Sequence, residues 1–73
     1  MPFVHIRMVE GRSQEQKDEI SKRVTDAISE VLQLPKDDIW VVFDDVPAGG
    51  WYVGSTTVAE LRKKAEKGDR SMA

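Results

Sequence analysis

Hydrophobic and polar residues alternate singly at the start of the chain, where Val4, Ile6 and Met8 fall between Phe3, His5 and Arg7. A period of two places the two sets on opposite sides of an extended backbone, so Pro2 to Met8 is predicted to be a strand with one strongly apolar face. Glu10-Gly11-Arg12 ends the alternation with a flexible glycine. Ser13, with Gln16 three residues later, then has the spacing of a capping box, which satisfies free amides at a helix start. The period lengthens to three and four residues through Ile20, Val24, Ala27, Ile28, Val31 and Leu32, while Lys17, Asp18, Lys22, Asp26 and Glu30 fall mainly elsewhere. A long amphipathic helix is expected, stopped by Pro35, and Lys36-Asp37-Asp38 turns the chain into a second strand, Ile39 to Val46.

The second strand carries Ile39, Val41 and Phe43 on one side and Trp40, Val42 and Val46 on the other, so both faces want to be dry. One helix covers only one face. Strand, crossover helix and strand make a β-α-β unit with parallel strands and a right-handed connection. The uncovered face must therefore pack on another copy or another protein. Pro47-Ala48-Gly49-Gly50 forms a turn, Trp51-Tyr52-Val53 a short strand or hairpin arm, and Gly54-Ser55 a second break. Thr57 and Glu60 repeat the capping-box spacing ahead of a short helix from about Thr57 to Lys67, and residues 68–73 read as a frayed, polar tail. The expected fold class is α+β: one domain over residues 1–73, a β-α-β unit with a short C-terminal hairpin and helix, assembling into an oligomer.

Length sharpens the expectation of assembly. A chain of 73 residues buries only about 60% of its unfolded surface, and small domains offset such thin cores with disulfides, metals or partners. With no cysteine, and one histidine among scattered carboxylates, neither a disulfide nor a transition-metal shell is expected, and a homo-oligomer remains. The lack of cysteine fits a reducing compartment, with the cytoplasm as the default. No apolar run approaches the ~20 residues of a membrane span. Eleven basic against thirteen acidic residues give a net charge of −2 and no global field for nucleic acid. Arg62, Lys63, Lys64, Lys67 and Arg70 are interleaved with acids, as on a solvated helix face.

Groups for acid-base chemistry are scarce. His5 lies in mid-strand, and Asp44 and Asp45, as strand neighbours, point to opposite faces and form no dyad. The glycines precede no phosphate-binding helix motif, and no metal shell or cofactor fingerprint is present in the sequence. The Met-Pro opening stands out. Removal of Met1, generally efficient before proline, would leave Pro2 as a secondary amine at the edge of a sheet. A free α-amino group has a pKa of about 7.7–8.0; proline is somewhat more basic, and burial beside a cation lowers either toward neutrality, where it carries protons.

Met-Pro, a strand, then Glu10-Gly11-Arg12-Ser13-Gln14-Glu15-Gln16-Lys17, a long helix and an aromatic at Gly49-Gly50-Trp51 together resemble the 4-oxalocrotonate tautomerase family from Pro2 to about Gly54. The resemblance implies β-α-β units that assemble into dimers and then a hexamer, with active sites shared between subunits and no cofactor. It implies Pro2 as general base, Arg12 as the substrate-binding arginine and Trp51 as the pocket aromatic. The implied reaction is a proton shift in an enol or unsaturated keto acid, with Arg12 gripping a carboxylate or a developing enolate.

The chain departs from that pattern in one respect. Founding members carry a second arginine in the second strand for a dicarboxylate, and Trp40 stands at that place here. A monocarboxylate or aromatic keto-enol is therefore expected, with Trp40 lining the pocket or anchoring an interface. Arg7 is a possible substitute cation whose direction the sequence leaves open. Two rivals remain. One is a hydratase or dehalogenase on unsaturated acids, for which the sequence neighbourhood of Trp51 offers no carboxylate. The other is a non-catalytic assembly subunit, if Met1 is retained and the Pro2 nitrogen stays an amide.

Overall fold

The computed structural model describes residues 1–66. Strand β1 (Phe3–Val9) lies parallel to β2 (Trp40–Val46), in a register that sets Phe3 opposite Trp40 and Val9 opposite Val46, and helix α1 (Gln14–Leu32) makes the crossover. A 3-10 turn, Lys36–Asp38, enters β2, and another, Ala48–Gly50, leaves it. Strands β3 (Tyr52–Val53) and β4 (Thr56–Thr57) form an antiparallel hairpin ahead of helix α2 (Val58–Glu66). This is the expected α+β architecture. The expected last residue of the second helix, Lys67, and the expected frayed tail lie outside the described residues.

Local chemistry sets the ends of the elements. Ser13 Oγ accepts from the Gln16 amide at 3.1 Å, and Gln16 Oε1 accepts from the Ser13 amide at 3.0 Å, so the capping box is complete. At the other end Gln33 turns left-handed at φ 58°, and the Gln33 and Leu34 amides both donate to Ser29 O before Pro35. Thr57 Oγ1 accepts from the Glu60 amide at 3.1 Å, which starts α2. The expected first strand shifts by one residue, to Phe3–Val9. Pro2 has no N–H to offer the ladder and contributes only its carbonyl, which accepts from the Trp40 amide at 3.1 Å.

Parity along the strands separates the two sheet faces. Val4, Ile6, Met8, Val41 and Phe43 are half-buried on the α1 side, where Lys17 Nζ of α1 pairs with the Asp45 carboxylate of β2. The opposite face is bare: Phe3 is 62%, Trp40 54% and Val42 42% exposed. The helical stripe is shorter than its pattern promised. Ile20, Val24 and Ile28 are half-buried, but Ala27, Val31 and Leu32 are exposed. Nineteen helical residues run about 28 Å against about 23 Å for a seven-residue strand, so the last turn overhangs the sheet.

Among the described residues only Ile39 and Ala48 are buried. The radius of gyration is 16.0 Å and the longest dimension 47 Å, whereas a compact chain of this length has a radius near 11 Å.

Candidate active site

Pro2 opens the edge of a two-stranded sheet, half-buried, in an apolar hollow of about 220 Å³ shared with Met1, Phe3 and Trp40. The backbone bond between Pro2 and Trp40 fixes the indole there, because parallel register makes the first residues of both strands neighbours. Trp40 thus lies beside the candidate base. Its indole makes that side of the hollow apolar.

Arg12 lies at the far end of β1, separated from Pro2 by roughly 20 Å of strand. It lines an open groove of about 390 Å³ on the helix side with Met8, Gln16, Glu19, Ile20 and Arg23. Trp51 occupies a third hollow, of about 440 Å³, on the bare sheet face with Arg7, Asp44, Val46, Gly50 and Tyr52. One protomer therefore brings Pro2 together with Trp40, but brings neither Arg12 nor Trp51 to them.

The Trp51 hollow contains a carboxylate that sequence proximity concealed. Asp44 is seven positions from Trp51, yet it shares a face with Val46, and the turn folds the indole back over that face. Strand parity was the available signal, since Asp44 and Val46 are two residues apart. Its Oδ2 accepts from Arg7 Nε at 3.1 Å and lies 3.6 Å from His5 Nε2. Arg7 thus points onto the bare face, engaged with Asp44, in the same hollow as Trp51. Asp45 turns to the helix side, so the two acids form no dyad.

The loops that carry Arg12 and Trp51 are tied together at Glu10. The Glu10 amide donates to Val46 O at 2.8 Å, and its Oε2 accepts from the Ala48 amide at 3.0 Å. Its carbonyl accepts from Arg62 Nη2 at 2.9 Å, which docks α2 onto the loop. Gly11 follows at φ 121°, a conformation that favours glycine, and the Arg62 guanidinium lies 3.5 Å from the position a Cβ would take.

Comparison with known proteins bears on this arrangement. The family model described as "Tautomerase enzyme" matches residues 2–61. A probable tautomerase of Streptococcus agalactiae is 45% identical over 64 residues, covering 88% of this chain and all of the relative. A structure from the 4-oxalocrotonate tautomerase isozymes of Methylibium petroleiphilum superposes with a TM-score of 0.76 at 37% identity, over 82% of this chain and 97% of that one. A heterohexameric 4-oxalocrotonate tautomerase from Chloroflexus aurantiacus gives a TM-score of 0.77 at 35% identity, over 85% and 100%. The strand-edge proline, the arginine-bearing loop and the β-α-β frame all fall within the matched span, and on that breadth of agreement the chain belongs to the tautomerase family.

Proposed function

We propose that the protein is a cofactor-independent tautomerase that moves a proton between carbons, or between enol oxygen and carbon, of an enol or unsaturated keto acid. Pro2, freed by removal of Met1, is the general base. As a neutral amine it takes a proton from the enol oxygen, or from the carbon beside a carbonyl, and returns it at another carbon of the conjugated system. Electrons stay within the substrate, so the step needs no redox partner. Trp40 gives the hollow an apolar wall that strengthens charge interactions by excluding water. Arg12 holds the carboxylate or the developing enolate, and its charge favours the neutral form of the amine.

The observation that carries this is the placement of Pro2, half-buried at a strand edge against Trp40, with Arg12 at the opposite end of the same strand. A two-fold axis that pairs β1 antiparallel with the β1 of a second copy would set each proline near the other copy's arginine loop and build two shared sites. Trp51 completes the lining from its own hollow. Three such pairs would make the hexamer implied by the family resemblance, and sedimentation distinguishes it from a dimer or trimer.

The test is ketonisation of phenylenolpyruvate by processed wild type and Pro2→Ala, with intact mass establishing loss of Met1. Processed Pro2→Ala keeps a primary amine that no ring holds in place, so a fall on the order of 100-fold in kcat/KM is expected for loss of the base's positioning. Equal rates would discard the mechanism.

Asp44 in the Trp51 hollow gives a second reading some footing, namely hydration or dehalogenation of an unsaturated acid with a carboxylate directing water. That carboxylate is already engaged by Arg7 and stands beside His5, which leaves it less free for water than Pro2 is for a proton shift.

A further inference from the structure

We propose that Glu10 is a positioning residue, holding the loops of Arg12 and Trp51 at a fixed separation through the hydrogen bond its carboxylate accepts from the Ala48 amide. The proposal rests on the reading that Arg12 and Trp51 line the working site.

Glu10 is the residue at which both loops meet. Its amide and carbonyl are held by Val46 O and Arg62, so its backbone is anchored at the end of the parallel ladder. From that anchor its side chain reaches 38 positions along the sequence to Ala48, one of the two buried residues among those described. Ala48 opens the 3-10 turn that ends at Gly50, immediately before Trp51, and Gly11 joins Glu10 directly to Arg12. Without an acceptor, a buried amide would drive the turn to rearrange until it found water. Trp51 would move with the turn. Displacements near 1 Å are enough to cost about 100-fold in a positioned reaction.

The pair can be cut from either side. Glu10→Ala removes the acceptor and Glu10→Gln keeps one, since the amide oxygen of glutamine can take the same hydrogen bond. Ala48→Pro removes the donor, and its ring, standing where the amide hydrogen pointed at Glu10 Oε2, also turns that carboxylate away. Pro47 already has φ −56° and ψ 140°, the extended geometry required of a residue that precedes proline.

Each variant, as the processed full chain, is assayed on phenylenolpyruvate beside Pro2→Ala. Glu10→Ala and Ala48→Pro should each lower kcat/KM by about 10- to 100-fold, mainly through KM, with the pH midpoint of the base unmoved. The double variant should be no worse than either single one, because both break the same bond. Glu10→Gln should retain wild-type KM. If Glu10→Ala and Ala48→Pro match wild type, or if Glu10→Gln falls as far as Glu10→Ala, the positioning role is overturned. Should Glu10→Ala fail to fold, the comparison of Ala48→Pro with Glu10→Gln decides alone. Loss of activity in Pro2→Ala together with an unaffected Glu10 series removes this proposal while the tautomerase reading stands; activity retained in Pro2→Ala removes the reading itself.

Discussion

The nitrogen of Pro2 can be a base only as an amine, since in an amide its lone pair is delocalised into the carbonyl. As an amine it must also be neutral, so activity should be present above its pKa and lost as pH falls through it. A nearby guanidinium lowers that pKa by disfavouring the protonated form. Arg12→Ala should therefore do two things: raise KM for substrates with a carboxylate, by about 10-fold or more for a lost charge-assisted bond, and move the acid limb of the kcat/KM profile to higher pH. Steady-state kinetics across pH would check both, and an unmoved limb with an unchanged KM would remove Arg12 from the site. At this scale the sequence was informative about residue types but not about distance. Pro2 and Arg12 were visible as candidates through the Met-Pro opening and the Glu10-Gly11-Arg12-Ser13 run. Nothing in their spacing disclosed how the carboxylate of Glu10 would lock onto Ala48 across 38 positions, because turns carry no register of their own.

Among the elements, β1, α1 and β2 were legible because each has a strict period and a marked end, and both capping residues, Ser13 and Thr57, accept the amides their spacing called for. The overhang of Val31 and Leu32 was not legible, since periodicity gives a helix face but not the length of the sheet beneath it. Nor did it foretell that α1 is pinned to β2 by Lys17 and Asp45, both polar members of otherwise apolar surroundings. Lys17 is 17% exposed, so removing its partner leaves a largely covered ammonium. Asp45→Asn should cost about 1–3 kcal/mol, measured as a lower urea midpoint at fixed protein concentration, with an unchanged midpoint arguing that the pair is fully solvated in solution. The crossover's other tether behaves differently. Hydrogen bonds from Lys36 and then Lys22 hold the Asp26 carboxyl below its ordinary value. Its contribution is therefore present above the unfolded pKa and disappears only in acid, as pH falls through that lowered value.

For the whole molecule, the radius of gyration of 16.0 Å and the bare face of Phe3, Trp40 and Val42 describe a chain that has not finished burying its surface. The bare face follows from the two-faced apolar strand β2, which is why the need for a partner could be read from the sequence, while the separation of Pro2, Arg12 and Trp51 within one chain could not. Val42 lies at mid-strand on that face, away from the hollows of Pro2, Arg12 and Trp51. A charge there would sit opposite His5 and near Arg7, which Asp44 already engages, and would have to shed its water if the face were covered. Val42→Asp should lower the assembly state seen by sedimentation and make the unfolding temperature of wild type, but not of the variant, rise with protein concentration. An unchanged sedimentation coefficient would show that the face is not an interface.

The separation of Pro2 from Arg12 along one strand has an evolutionary corollary. If, as proposed, a working centre joins the Pro2 of one copy to the Arg12 of another, two duplicated genes can each lose a different half, and a mixed assembly still holds complete centres. One descendant keeps its opening proline, the other its guanidinium, and each becomes indispensable to its sister. Division of labour between unlike chains is thus available from a single strand's geometry, with no new contact required.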